Sequence, residues 1–364
     1  MPRRLCAAGP AALTLLCGLW GITRGNSMWR DEAATWQVSH RAVPEIWHLL
    51  GTADVVHGLY YLFMHRVFAV FGASLLSLRL PSVLAISGAT ALVTLLGTRL
   101  AGSCTGLAAG LSFALIPAVQ QYAQEGRSYA LVTACVALAC LLLVAAVDRP
   151  GAGRWAAYGT TVLAAALLNW FSLLVLCAHA VTLALARPLR TAVLRWAVAA
   201  ATAVVGTLPL IMVSGTQTAQ VAWIPQVRRN ALVALALTLL TGALCAWLAR
   251  PGKDRRTPLG TRTTLTSAAL PLLAVPQLLL LADPLVRPRY VLFSHLGLAL
   301  LIVLRAARIA PARRKAPQPR VRVAPPVGGL GPLTGPPSGE RGAGTTPISA
   351  SASRTPARRA KPIA

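Results

Sequence analysis

Two adjacent carboxylates stand just after the first apolar run, in Met28-Trp29-Arg30-Asp31-Glu32-Ala33-Ala34-Thr35-Trp36. A carboxylate at an apolar boundary can take a proton from an incoming hydroxyl once its geometry is fixed and its proton affinity raised. The same pair can bind a divalent cation, and the plain alternative is a solvated pair capping a short helix. Downstream, Asp54-Val55-Val56-His57-Gly58-Leu59-Tyr60-Tyr61 supplies an imidazole that either holds a phosphate or sugar hydroxyl or is an interfacial His with no role. In Tyr122-Ala123-Gln124-Glu125-Gly126-Arg127-Ser128-Tyr129, Glu125 and Arg127 lie two residues apart, as a local salt bridge or as an acid and a cation offered to a substrate. Asp283-Pro284-Leu285-Val286-Arg287-Pro288-Arg289-Tyr290 adds two arginines, whose guanidinium forks match a phosphate bidentately. There is no Walker loop, no G-x-G-x-x-G before a strand and no His/Cys cluster at metal-ligand spacing, so nucleotide substrates are not implied.

The elements that carry these residues are apolar helices. Of 364 residues, 55% are hydrophobic and only 12% charged, about half the charge of a soluble protein. Mean hydropathy is +0.62, and uncharged runs such as Leu131 to Val147 exceed what a core helix needs to bury one face. This is the composition of an all-α polytopic membrane protein. Spans are expected near 5–22, 77–98, 103–119, 129–147, 155–170, 171–186, 196–214, 230–249, 265–282 and 288–305, about ten transmembrane helices. The pair meeting at Asn169-Trp170-Phe171 should form a tight hairpin. The run from His57 to Phe71, short and carrying His57, His65 and Arg66, is read as interfacial, so residues 23–76 form one long outer loop with interfacial helices. The seven cysteines lie within or beside apolar runs and read as small apolar residues.

Charge orients the bundle. With 35 Lys and Arg against nine acids, the net charge is +26, which would ordinarily raise nucleic-acid binding. Here most basic residues punctuate apolar segments, and no nucleic-acid partner is expected. Between residues 100 and 300, with Arg99 counted in, eleven basic residues fall on one side and five on the other (Arg127, Arg228, Arg229, Arg287 and Arg289). By the positive-inside rule the richer side, with both termini, is cytoplasmic. Asp31, Glu32, Glu45, Asp54, Glu125 and Asp283 then gather on the extracytoplasmic face, where acids have little say in orientation and so call for a reason. Residues 1–309 form the transmembrane domain. Residues 310–364, with no aromatic residue and eleven of 26 prolines, read as a disordered Pro/Arg-rich cytoplasmic tail touching membrane lipid electrostatically.

Five motifs in order on that outer face resemble the type C membrane glycosyltransferases, the group that includes bacterial protein mannosyltransferases and the aminoarabinose transferase of lipid A. They are W-x-D-E-x-x-T at Trp29 to Thr35; D-x-x-H with L-Y-Y at Asp54, His57 and Leu59 to Tyr61; R-L-P-S at Arg79 to Ser82; Q-E-x-R-x-Y-A-L at Gln124 to Leu131; and P-R-Y at Pro288 to Tyr290. The two prolines that usually follow the His are replaced by Gly58 and Leu59. The resemblance runs to about Leu304.

It implies transfer of a sugar, with mannose expected, from a polyprenyl-phosphate donor to a glycan, lipid or protein acceptor outside the bacterial cytoplasmic membrane, with inversion at the anomeric carbon. On this reading Asp31 is the general base, Glu32 orients Asp31 or the acceptor, and Arg127, Arg289 and Tyr290 stabilise the departing phosphate. Asp54, His57, Glu125, Tyr129 and Arg287 complete the binding site, with no metal site assigned. The competing readings are a flippase of lipid-linked sugars, which needs polar residues along several spans, and an inactive, truncated member.

Overall fold

The computed structural model describes residues 3–23, 27–186, 188–217, 240, 269–278 and 288–309. Every regular element among them is helical, and the chain is an all-α polytopic membrane protein. Along the chain lie α1 (Arg3–Leu19), α2 (Arg30–Ser39), α3 (Val43–Thr52), α4 (Gly58–Phe71), α5 (Leu75–Ala101), α6 (Ser103–Ala114), α7 (Pro117–Ala123) and α8 (Tyr129–Asp148). They are followed by α9 (Ala152–Leu168), α10 (Leu174–Ala186), α11 (Arg190–Thr216), α12 (Ala269–Leu278) and α13 (His295–Ile309). Short 3-10 turns at Val55–His57, Trp170–Leu173 and Pro288–Ser294 lead into α4, α10 and α13.

Among the described residues α5, α8 and α11 are long and apolar enough to cross a bilayer singly. The run expected as one span over 103–119 is instead two helices, α6 and α7, bent by 65°. The cause is local. Pro117 has no N–H to continue the ladder and drives Ile116 out of the helical region, to ψ 120°. A turn stands at Asn169, where a tight hairpin is expected, with the Asn169 side chain accepting from the Phe171 N–H at 3.1 Å; the Tyr158 hydroxyl and His179 Nδ1, 2.9 Å apart, link its two arms. The span expected at 230–249, most of that at 265–282, and the tail lie outside the described residues.

Small residues let the first helices approach closely, as membrane bundles require. A Cβ on Gly106 of α6 would come within 2.0 Å of the Thr98 hydroxyl and 2.4 Å of the Thr94 carbonyl oxygen on α5, so no larger residue fits without parting the helices. The Thr14 hydroxyl of α1 lies 3.0 Å from that of Thr90 on α5, both fully buried. A second polar contact ties α8 to α11: Trp196 donates to the Tyr158 hydroxyl (3.0 Å), which faces His179 Nδ1 (2.9 Å), while His179 Nε2 faces Cys140 Sγ (3.4 Å). This network satisfies itself inside the bundle.

The long loop over 23–76 folds into α2, α3 and α4. Helix α4 has 14 residues, roughly 21 Å at 1.5 Å per residue, short of the ~30 Å hydrocarbon core. It buries Tyr60, Tyr61 and Met64, and Gly58 begins it against Leu50, whose side chain would lie 2.8 Å from any added Cβ.

Candidate active site

Asp31 and Glu32 sit side by side in the first turn of α2, yet the fold separates them. Glu32 is fully buried and accepts four hydrogen bonds: Arg79 Nε (2.9 Å) and Nη2 (2.7 Å), the Gly126 N–H (2.8 Å) and the Trp29 N–H (3.2 Å). Arg79, itself 6% exposed, gives two further donors to the Ile22 (2.7 Å) and Ser27 (2.8 Å) carbonyls. Of the two roles expected of Glu32, orienting Asp31 or orienting the acceptor, these bonds favour the first, since they fix the turn that carries Asp31. A carboxylate with that many donors has little capacity left, and its place is structural: it ties the start of α2 to α5 and to the loop before α8.

Asp31 points the other way, into a cavity of about 500 Å³ lined by Trp20, Trp29, Arg30, Gln121, Tyr122, Gln124, Glu125 and Arg289, among others. Its carboxylate accepts from Arg289 Nη1 and lies 4.0 Å from Arg127 Nη2. Arg289 rests against an aromatic wall, its guanidinium carbon 5.7 Å from the centre of the Tyr129 ring and 5.6 Å from that of Tyr290. Tyr290 in turn stacks flat on Phe171 at 4.9 Å. Such contacts hold a guanidinium in place without using up its donors. Arg289 Nε and Arg127 Nε are buried with no hydrogen-bond partner among the described residues. At the rim Trp20 and Trp29 are 75% and 71% exposed, as tryptophans are at a bilayer interface.

Glu125 lines the same cavity. Burial pushes its carboxyl up to about 7; Arg289 pulls against this, Asp31 adds to it, and Arg127 and Glu32 oppose and reinforce it more weakly. The expected alternative of a Glu125–Arg127 bridge is not what forms, since Arg127 turns to Asp31, Tyr61 and Asp54.

Asp54, His57, Tyr61 and Arg127 make a second cluster behind the cavity. The Asp54 backbone is left-handed at φ 53°, a conformation that Asp tolerates better than most residues. His57 Nδ1 donates to Asp54 Oδ1 at 2.8 Å, the Tyr61 hydroxyl donates to Oδ2, and Arg127 donates to the Tyr61 oxygen at 3.0 Å. Burial alone would raise the Asp54 carboxyl, but His57 by charge and hydrogen bond, then Arg127 and Tyr61, hold it well below the usual carboxylate range. Neither Asp54 nor His57 lines the cavity, although His57 Nε2 is buried without a partner among the described residues.

Of the residues singled out from the sequence, Asp31, Glu125 and Arg289 meet in the cavity. Arg127, Tyr129 and Tyr290 stand directly behind it, and Arg287 lies outside the described residues. Sequence reasoning assigned no role to two residues that hold the site together, Arg79, noted only within the R-L-P-S motif, and Gln217. Arg79 was visible as a lone charge at the head of a long apolar run, a position that demands a buried partner. Gln217, at the end of α11, accepts from the Val55 N–H (3.1 Å) and donates to the Leu50 carbonyl (2.9 Å), fastening the Asp54 segment; nothing in its local sequence signals this.

The cation expectation can be tested on the donor set. Glu32 is saturated by Arg79 and Asp31 is paired with Arg289, and among the described residues no three of His, Cys, Asp and Glu are grouped to hold a metal ion. The pair as folded does not fit a divalent cation.

The family of dolichyl-phosphate-mannose-protein mannosyltransferases matches residues 58–215, which include Arg79, Glu125 and Arg127 but neither Asp31 nor Arg289. Among solved structures, the chain is similar to ArnT from Cupriavidus metallidurans bound to undecaprenyl phosphate, with 14% identity, a TM-score of 0.59, and coverage of 83% of this chain and 60% of that one. It is similar also to ArnT from the same organism in the apo state, with 13% identity, a TM-score of 0.59, and coverage of 83% and 59%. The chain therefore spans about 60% of the length of these structures. No match is found among curated proteins. The resemblance to the type C membrane glycosyltransferases drawn from the motifs is borne out, and the chain has their fold.

Proposed function

We propose that this chain is a glycosyltransferase moving mannose from a polyprenyl-phosphate donor to an extracytoplasmic glycan, lipid or protein acceptor, with inversion. The observation that carries the reading is the meeting of Asp31 and Arg289 from opposite ends of the chain in one polar cavity rimmed by exposed tryptophans. Its size falls in the roughly 300–1,000 Å³ range of small-molecule sites. The acceptor oxygen attacks the anomeric carbon from the face opposite the phosphate. The carbon–oxygen bond to the phosphate breaks, and the electron pair leaves with polyprenyl phosphate. Arg289, with Tyr290 and Arg127 behind it, neutralises that charge as it develops, and Asp31 takes the acceptor's proton. The incoming phosphate competes for Arg289, so donor binding frees Asp31 for its task.

A flippase would need polar groups along its spans. Among the described residues several span hydroxyls instead bond back to their own helices, as with Ser87 to the Val83 carbonyl, Thr94 to that of Thr90 and Thr133 to that of Tyr129. The test is release of undecaprenyl phosphate by purified protein in lipid, across a panel of undecaprenyl-phosphate sugars with candidate acceptors. Release with the mannosyl donor supports the reading, and release with none sinks it.

The topology makes a separate prediction. With the exposed Cys17, Cys104 and Cys177 replaced, a cysteine introduced at Ser27 should react with an impermeant thiol reagent in intact cells, and one at Gly151 should not. Labelling at Gly151 but not at Ser27 would put the cavity on the cytoplasmic side.

A further inference from the structure

Two carboxylates line the cavity, and the fold holds them in opposite ways. Asp31 is in an ion pair with Arg289. The Glu125 carboxylate has no hydrogen-bond or ion-pair partner among the described residues. Its backbone, by contrast, is fastened on every side. Ser82 of α5 donates to the Glu125 carbonyl (2.7 Å), Glu32 of α2 accepts from the Gly126 N–H (2.8 Å), and Thr35 of α2 donates to the Gly126 carbonyl (3.1 Å). A Cβ on Gly126 would lie 2.6 Å from Leu78 Cγ, so any larger residue must displace that buried side chain. A loop pinned this firmly, around an acid that no described residue pairs in a partly buried cavity, is a built position.

The transfer reading above leaves one proton to account for. If it stayed on Asp31, the ion pair with Arg289 could not re-form, and the carboxyl could not take the proton of the next acceptor. We propose that Glu125 is the second carboxylate of the reaction, taking from Asp31 the proton lost by the acceptor hydroxyl and passing it to water in the cavity. The inference rests on that transfer reading. Atoms balance with no further reactant: the acceptor O–H proton goes to Asp31, then directly or through one water to Glu125, then to solvent, while Asp31 returns to Arg289.

The surroundings of Glu125 suit the task. Asp31, Glu32 and Arg30 face it from α2, Arg79 from α5, Tyr122 from α7, Arg127 from its own loop and Arg289 from the turn before α13. Burial and the nearby acids outweigh the arginines and place its titration at about 7, where a group both takes up and gives back a proton at neutral pH.

The experiment compares wild type, Glu125→Gln and Glu125→Asp in lipid, measuring release of undecaprenyl phosphate between about pH 5 and 9. Wild-type turnover should rise about tenfold per pH unit up to about 7 and level above it, because Glu125 must be ionised to receive the proton. Glu125→Gln should lie at least about tenfold below the wild-type plateau and lose the limb near 7, with undecaprenyl phosphate binding intact. Glu125→Asp should keep a limb. Wild-type turnover in Glu125→Gln, or a lower turnover that keeps the same limb, overturns the relay and leaves Glu125 a positioning residue. If Glu125→Gln fails to bind undecaprenyl phosphate, Glu125→Asp decides, and a profile without the limb overturns the relay. Wild-type protein that releases nothing at any pH sinks the transfer reading and the relay together.

Discussion

Asp31→Asn should keep donor binding and lose about a hundredfold or more of turnover. Asparagine preserves the size of the side chain and can still accept one hydrogen bond from Arg289, but it cannot take up the acceptor's proton. Arg289→Ala separates binding from chemistry in the other direction. Because the arginine meets the phosphate before the transition state, its loss should weaken undecaprenyl phosphate binding as well as turnover. The plain alternative, an acid that merely caps α2, predicts a stability change of about 1 kcal/mol and normal turnover. Full activity in folded Asp31→Asn would remove Asp31 from the mechanism and leave Glu125 as the remaining carboxylate of the cavity.

Arg79→Met should be the most destabilising single change near the site, at about 3–5 kcal/mol, because it leaves the carboxylate of Glu32 buried with no counter-charge. Glu32 is fully buried and Arg79 is bound to it through two nitrogens. The Gly126 and Trp29 N–H groups remain as donors, but neither carries a charge to offset the carboxylate's desolvation. Unfolding of the purified variant in detergent measures the loss. Glu32→Gln combined with Arg79→Met should recover a good part of it, since the stranded charge is then gone. Equal destabilisation of the single and double variants would show that Arg79 acts through its bonds to the Ile22 and Ser27 carbonyls instead. Loss of activity in Arg79→Met should follow the loss of fold, because Arg79 holds α2 and so the placement of Asp31.

Much of the architecture was legible in the sequence because a bilayer penalises unpaired backbone and charge so heavily that long apolar runs have few alternatives to helix. The runs around residues 77–98, 129–147 and 196–214 became α5, α8 and α11 nearly end to end. The bend within 103–119 was not foreseen because apolar length was counted while passing over Pro117, whose missing N–H was itself plain in the chain. Scarcity made the site legible too. With nine acids in 364 residues, those that fall between spans stand out, and the parity of the spans was enough to gather Asp31, Glu125 and Arg289 on one face.

Partner choice was left to the tertiary structure. Sequence spacing left open whether Glu125 pairs with Arg127, and presented Asp31 and Glu32 as one adjacent pair. The folded chain instead gives Glu32 to Arg79, 47 residues away, and Asp31 to Arg289, 258 residues away. Which of several acids meets which of several arginines turns on distances of a few ångströms between packed helices. Those distances are set by contacts such as Gly106 against Thr94 and Thr98, which no pattern of charges along the chain encodes.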